Sequence, residues 1–298
     1  MSSLTNIVVA TDLSASSRDA CDRAALLART HGAELTLMHA LAASALDELR
    51  RAGDAADAQA IEDDARSRLH ALATELQRRY GARVAEHLAA GHPLGEIASL
   101  AEQLDAELLV TGTRGSGFTR GVVLGSMAER VARYARRPVL MVRQAVHGPY
   151  RRVLVPVDFS PWSLESVRVA DGIAPDATLV LMHAVEVPFE RRRRRAGVAE
   201  QSITRQRARA RDAAQRQLDA LAAQTGLAAE RLLQSTPEGD DPWMLIAQQE
   251  QEHDCDLIVM GRQGRHAIGE LMLGSTTRMV LAECRADVLV SVRRAAEP

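Results

Sequence analysis

Short runs of aliphatic and β-branched residues alternate along the chain with longer stretches in which apolar positions recur every three or four residues. In the first half the short runs predict strands near 6–11, 34–39, 83–88, 107–111 and 138–142. The periodic stretches predict helices near 16–30, 54–79, 94–103 and 124–135. Several of the strands are apolar throughout rather than alternating, as expected where both faces of a sheet are covered. Ser14 or Ser16 is placed to cap the first helix, and Gly32 and Gly81 follow helices where a left-handed residue closes the last turn. Alternation of this kind predicts an α/β fold, a doubly wound parallel sheet with right-handed crossovers.

The pattern then repeats. Ile7-Val8-Val9-Ala10-Thr11-Asp12-Leu13-Ser14 returns 146 residues later as Val153-Leu154-Val155-Pro156-Val157-Asp158-Phe159-Ser160. Leu35-Thr36-Leu37-Met38-His39-Ala40 returns at an offset of 144 as Leu179-Val180-Leu181-Met182-His183-Ala184. Asp105-Ala106-Glu107-Leu108-Leu109-Val110-Thr111-Gly112 returns at an offset of 149 as Asp254-Cys255-Asp256-Leu257-Ile258-Val259-Met260-Gly261. Offsets that drift by a few residues mark loop insertions in one duplicated frame, and a period this long means two domains rather than a solenoid. The boundary falls in the turn-forming His147-Gly148-Pro149-Tyr150, giving domains at 1–146 and 150–298. Each half ends in an apolar strand, at 138–142 and 287–292, and two such edges are expected to pair. That would make one chain an intrachain pseudo-dimer, with a homodimer of chains as a further expectation.

Composition narrows the chemistry. All 37 basic residues are arginine. Without lysine there is no Walker A loop and no Schiff-base amine. Three cysteines, Cys21, Cys255 and Cys284, lie far apart without a C-x-x-C pair, which argues against disulfides and zinc and for a reducing compartment. The absence of a long apolar run and of a basic-then-apolar start leads to the expectation of a cytoplasmic protein with no membrane partner. Net charge is −2, with no global pull toward nucleic acid. Residues 185–216 carry ten arginines against four acids, whereas the counterpart at 44–66 carries seven acids against three arginines. No aromatic residue interrupts the arginine run at 191–195 to stack bases, so a solvated segment is the reading and nucleic acid is disfavoured.

The sharpest signal follows the fourth strand of each half. Gly112-Thr113-Arg114-Gly115, nine residues and Gly125-Ser126 match Gly261-Arg262-Gln263-Gly264, nine residues and Gly274-Ser275. Glycine there permits close backbone approach and positive φ, and the Gly-Ser pair opens a helix whose free N–H groups favour an anion. Each copy is paired with an aspartate, Asp12 or Asp158, ending an apolar first strand at the crevice where strand order reverses. His39 and His183 are read as partly buried histidines satisfied by backbone, and Ser14 and Ser160 as caps rather than nucleophiles.

With these motifs the chain resembles the universal stress protein family, in particular its ATP-binding branch in tandem form. The resemblance implies two flavodoxin-like (Rossmann-like) domains, each an open five-stranded parallel sheet of order 3-2-1-4-5 with helices on both faces. It implies ATP or another adenine nucleotide in each half. Asp12 and Asp158 would contact ribose or a phosphate-bound Mg²⁺, Ala40 and Ala184 would stand beside adenine, and Met260 would wall the base. Gly112, Gly115, Gly125 and Ser126, with Gly261, Gly264, Gly274 and Ser275, would cradle ribose and phosphates. Thr111 replaces Met260, and Ala10 replaces Pro156, in the first half, while Glu270 stands where the first half has Gly121. The function expected is a nucleotide-binding stress-response or signalling module and not an enzyme. A slow ATPase using the same sites, with Arg114 or Arg265 supplying charge, and a nucleotide-free scaffold are the alternatives.

Overall fold

A computed structural model of the chain describes residues 4–113, 125–186, 199–264 and 273–292. It divides into two compact units, Met1–Pro149 with Asp287–Pro298, and Tyr150–Ala286.

In the first unit five strands, β1 (Asn6–Ala10), β2 (Glu34–Leu41), β3 (Arg83–Ala90), β4 (Leu108–Gly112) and β5 (Val139–Val142), run parallel in the order β3-β2-β1-β4-β5. Two helix layers cover the sheet: α1 (Arg18–His31) packs with α3 (Ala55–Tyr80), and α4 (Pro93–Gln103) packs with α5 (Ser126–Tyr134). Val8, Val9, Leu35, Leu37, Leu108 and Val110 are buried, as their unbroken apolar runs require. Every element expected in this half is present, within two or three residues at the ends.

One helix, α2 (Ala43–Ala52), was not anticipated. Leu46 is its one buried residue, so too few apolar positions recur for a helical period to show. The capping expectation needs correction as well. Neither Ser14 nor Ser16 caps α1; Ser17 occupies that position, without a side-chain cap. A short 3₁₀ turn at Ala15–Ser17 intervenes, and it diverts the Ser14 hydroxyl to Asp12. Gly32 and Gly81 do close their helices at φ of 68°.

The second unit repeats the frame with β6 (Arg152–Pro156), β7 (Thr178–Met182), β8 (Leu232–Ser235) and β9 (Leu257–Gly261), all parallel in the order β8-β7-β6-β9. Its helices are α6 (Pro161–Ile173), α7 (Glu200–Thr225), α8 (Pro242–Glu252) and α9 (Ser275–Glu283). Matched carboxylates hold the N-terminal ends of the first strands. Glu107 accepts the backbone N–H of Thr5 (2.9 Å) and Asn6 (2.8 Å), and Asp256 accepts those of Arg151 (2.8 Å) and Arg152 (3.2 Å). Donors ahead of a strand are thereby satisfied.

The strand β10 (Asp287–Ser291) completes the first unit, antiparallel to β5, with Leu289 opposite Leu140. The apolar edges expected to pair do so. Asp287 is fully buried there; it accepts the N–H of Arg143 (2.7 Å) and of Gln144 (3.2 Å), and it lies 3.4 Å from the buried Arg23 guanidinium. Removing one partner of such a pair leaves an uncompensated charge, so Asp287→Ala should cost about 3 kcal/mol. Asp287→Asn, which keeps an accepting oxygen, should cost less. Urea unfolding followed by circular dichroism measures both, and a loss below about 1 kcal/mol for the alanine variant would contradict this account.

Candidate functional site

Between β1 and β4 the strand order reverses, and the segments after them diverge to leave a crevice at their carboxyl ends. The turn after β1 is tightly specified. Leu13 takes φ of 59°, a left-handed conformation that costs a branched side chain about 1–3 kcal/mol and is held only by its surroundings. Those surroundings are Thr11, whose Oγ1 accepts the Leu13 N–H (3.0 Å) and lies 2.8 Å from Ser17 Oγ, and Asp12, whose Oδ1 accepts the Ser14 N–H (3.1 Å) and hydroxyl (2.5 Å). The Asp12 carboxylate is thus fixed at the mouth of the crevice and half-buried.

A cavity of about 240 Å³ opens here. Of the residues expected from sequence, Asp12, Ala40, Gly112 and Gly125 line it, so the structure brings together loops from both ends of the first repeat. Its apolar wall includes residues that were not expected, Met38, Pro93, Ile97 and Met127. A signal for them existed: Pro93 lies just past the third strand, at the same edge of the sheet, and Ile97 is one helical turn further on. Thr111, where the second repeat has Met260, also lines the cavity and turns its hydroxyl to the Gly112 carbonyl (3.1 Å).

The second repeat reproduces the turn. Phe159 takes φ of 56°, and Asp158 Oδ1 accepts the Ser160 N–H (3.0 Å) and the Ser163 hydroxyl (3.2 Å). The Ser160 hydroxyl itself is buried with no hydrogen-bond partner among the described residues. It stands at the N-cap position of α6 without making a side-chain cap, so its expected role is corrected here too. Met260 is buried at the end of β9, and Ala184 follows β7.

Both glycine loops are closed by one equivalent bond. Gly125 N–H donates to the Thr113 carbonyl (2.8 Å), and Gly274 N–H donates to the Arg262 carbonyl (2.9 Å). Gly125 and Gly274, at φ of −66° and −58°, then lead into α5 and α9, which begin at Ser126 and Ser275. The N-cap of each helix is a glycine and brings no side-chain cap of its own, which suits the first-turn N–H groups to water or an anion. Positive φ is not what these glycines provide, contrary to expectation. Space is: a Cβ on Gly264 would stand 3.3 Å from Asp158 Oδ2, and one on Gly261 would stand 3.2 Å from the Gln263 carbonyl oxygen. Gly264 and Asp158 are therefore neighbours across the second crevice. Gly115, Arg114, Gly121, Arg265, Glu270 and the arginine run at 191–195 lie outside the described residues.

His39 Nδ1 lies 2.8 Å from the Thr11 carbonyl oxygen and His183 Nδ1 lies 2.8 Å from that of Val157, so the Nδ1 of each ring is satisfied by backbone. Among the described residues no three His, Cys, Asp or Glu side chains cluster as a metal site. Nor is any described helix long and apolar enough to cross a membrane. Cys21, close to Thr11, is buried, and burial pushes its thiol up to about 12; Cys255 is raised to about 12 for the same reason. Neither supplies a thiolate nucleophile near neutral pH.

All three cysteines are buried, so none should react with a thiol reagent at pH 8 in the folded protein, and three should react after unfolding. Folding raises the Cys21 and Cys255 thiols above their ordinary 9.0. The unfolded chain then releases protons first, and the stability they contribute is lost as pH rises from about 9 to about 12. Urea midpoints across that window, and reagent counts in native and unfolded protein, check both statements.

Comparison with known proteins agrees with this architecture. The model of the universal stress protein family matches twice, at residues 4–143 and 149–293. A universal stress protein of Mycobacterium tuberculosis is 34% identical over 146 residues, which is 48% of this chain and 98% of that protein. The crystal structure of a universal stress protein from Archaeoglobus fulgidus covers 99% of this chain and 100% of its own, with a TM-score of 0.72 at 19% identity, a likeness of fold. A universal stress protein solved in complex with cAMP is 28% identical across 47% of this chain and 98% of its own, with a TM-score of 0.36. With both repeats matched from end to end, the chain belongs to the universal stress protein family.

Proposed function

We propose that this chain binds ATP or a related adenine nucleotide and acts as a nucleotide-responsive stress or signalling module. The observation that carries this reading is the cavity at the ends of β1, β2 and β4. At about 240 Å³ it lies just under the ~300–1,000 Å³ usual for ligand clefts, a size suited to a nucleoside whose phosphates extend outside. An apolar wall of Met38, Ile97 and Met127 suits a base, the Asp12 carboxylate suits ribose hydroxyls, and the uncapped N-terminus of α5 suits phosphate. In the second repeat the buried, unpartnered Ser160 hydroxyl beside Asp158 supports a ligand or water there, since such groups are seldom left unsatisfied.

Mg²⁺ fits as an accessory ion. Among the described residues each crevice offers a carboxylate, Asp12 or Asp158, and Mg²⁺ accepts a single carboxylate when phosphate oxygens and waters complete its shell. When bound it would neutralise phosphate charge. Binding is favoured over slow ATP hydrolysis because phosphoryl transfer needs a positioned base. Among the described residues the Ser14 hydroxyl is committed to Asp12 and Cys21 is held in its protonated form, and neither serves as that base. The cavity favours a ligand-bound module over an empty scaffold. Free buried thiols are in keeping with a cytoplasmic site of action.

Calorimetric titration of ATP into the full chain, with Mg²⁺ and with EDTA, tests this reading. The wild type is expected to bind, and Gly264→Val to lose the second site while melting at a similar temperature. Asp158→Asn should weaken the second site roughly ten- to a hundredfold and remove its Mg²⁺ dependence, consistent with losing a charged contact of ~1.5–3 kcal/mol. A wild type that takes up no ATP in either buffer rejects the proposal.

A further inference from the structure

In the first repeat the His39 ring lines the cavity, and its Nδ1 lies 2.8 Å from the Thr11 carbonyl oxygen. A carbonyl only accepts, so Nδ1 carries the proton and the Nε2 of the neutral ring is left as an acceptor. Among the described residues Nε2 has no hydrogen-bond partner. Of the hydroxyls in the cavity lining, those of Thr11, Ser17 and Thr111 are already bonded within the protein. An acceptor of fixed tautomer in a largely apolar cavity selects for a ligand N–H.

We infer that His39 Nε2 is a specificity determinant of the first site, accepting an N–H from the exocyclic amino group of a 6-aminopurine. The inference rests on reading the cavity as a nucleotide site, and it deepens that reading to a choice among bases. A 6-oxopurine would set acceptor against acceptor. A purine unsubstituted at position 6 would bury the acceptor unsatisfied, and sites built to bond an N–H reject analogues that lack it. The assignment is confined to the first repeat. In the second, the Phe159 ring packs against His183 with centroids 4.3 Å apart, where the first repeat carries Leu13.

The test uses the full chain carrying Gly264→Val, so that only the first site titrates. ATP, inosine triphosphate and purine riboside triphosphate are titrated at pH 8 into this parent and into two variants of His39. Asparagine keeps an N–H able to reach the Thr11 carbonyl but has nothing at the Nε2 position; glutamine places an amide oxygen near Nε2 but gives up the Thr11 bond. The parent should prefer ATP at least about tenfold over either analogue, His39→Asn should reduce that preference to about twofold, and His39→Gln should keep most of it. Thermal melts establish that each variant is folded. A parent that binds all three ligands equally, or a folded His39→Asn that keeps the full preference, overturns the role of His39 and leaves the ATP reading standing. Should His39→Asn fail to fold, loss of the preference in folded His39→Gln overturns it. No binding of any triphosphate by the parent overturns both.

Discussion

Parallel pairing of β1 with β4, and of β6 with β9, is the constraint on which the rest of the molecule depends. From each pair the strand order runs on in opposite directions, and right-handed crossovers then carry the segments that follow to opposite faces of the sheet. A crevice must open between the departing chains. Everything proposed for this protein sits in that crevice: an aspartate from the first strand, a glycine loop from the fourth, and a helix N-terminus behind the loop. The carboxylates Glu107 and Asp256 secure the opposite ends of the same strand pairs, so both ends of each pair are held.

Turning out of the first strand within two residues forces a left-handed residue, and in both repeats a bulky one occupies it. Leu13 and Phe159 hold nearly equal φ, 59° and 56°. That the same strained conformation recurs in two repeats of different sequence argues that the turn, rather than the side chain, is what both copies keep. Asp12 and Asp158 hold the turn by accepting the N–H two residues on, and that bond aims the carboxylate at the crevice. A structural bond and a crevice-facing oxygen are thus served by one side chain.

The repeats share this frame and differ within it. The hydroxyl of Ser14 is engaged by Asp12, whereas that of Ser160 is buried with no partner among the described residues, and Ser163 supplies the bond to Asp158 instead. His39 faces a cavity, whereas His183 is packed by Phe159. The Thr277 hydroxyl donates to the Gly261 carbonyl in the second repeat, where the first has Ala128 in the cavity wall. Two crevices of one ancestry therefore differ in the groups they present.

Duplication, strand–helix alternation, both aspartates and both glycine loops were legible in the sequence, because each leaves a local mark: a period, an apolar run, or a spacing. Long helices such as α3 and strands such as β4 were placed nearly to the residue for the same reason. Helix α2 was not, since Leu46 alone gives no period. What only the tertiary structure decided was which distant residues meet. Met38, Pro93, Ile97 and Met127 are ordinary apolar residues in their own segments and become one wall only when three elements, β2, α4 and α5, converge at one edge of the sheet. The fate of Ser14 and the tautomer of His39 were decided the same way, because each depends on a partner's position in space. Local patterns record which element a residue joins; hydrogen-bond partners across a crevice are set by packing, which no short stretch of sequence encodes.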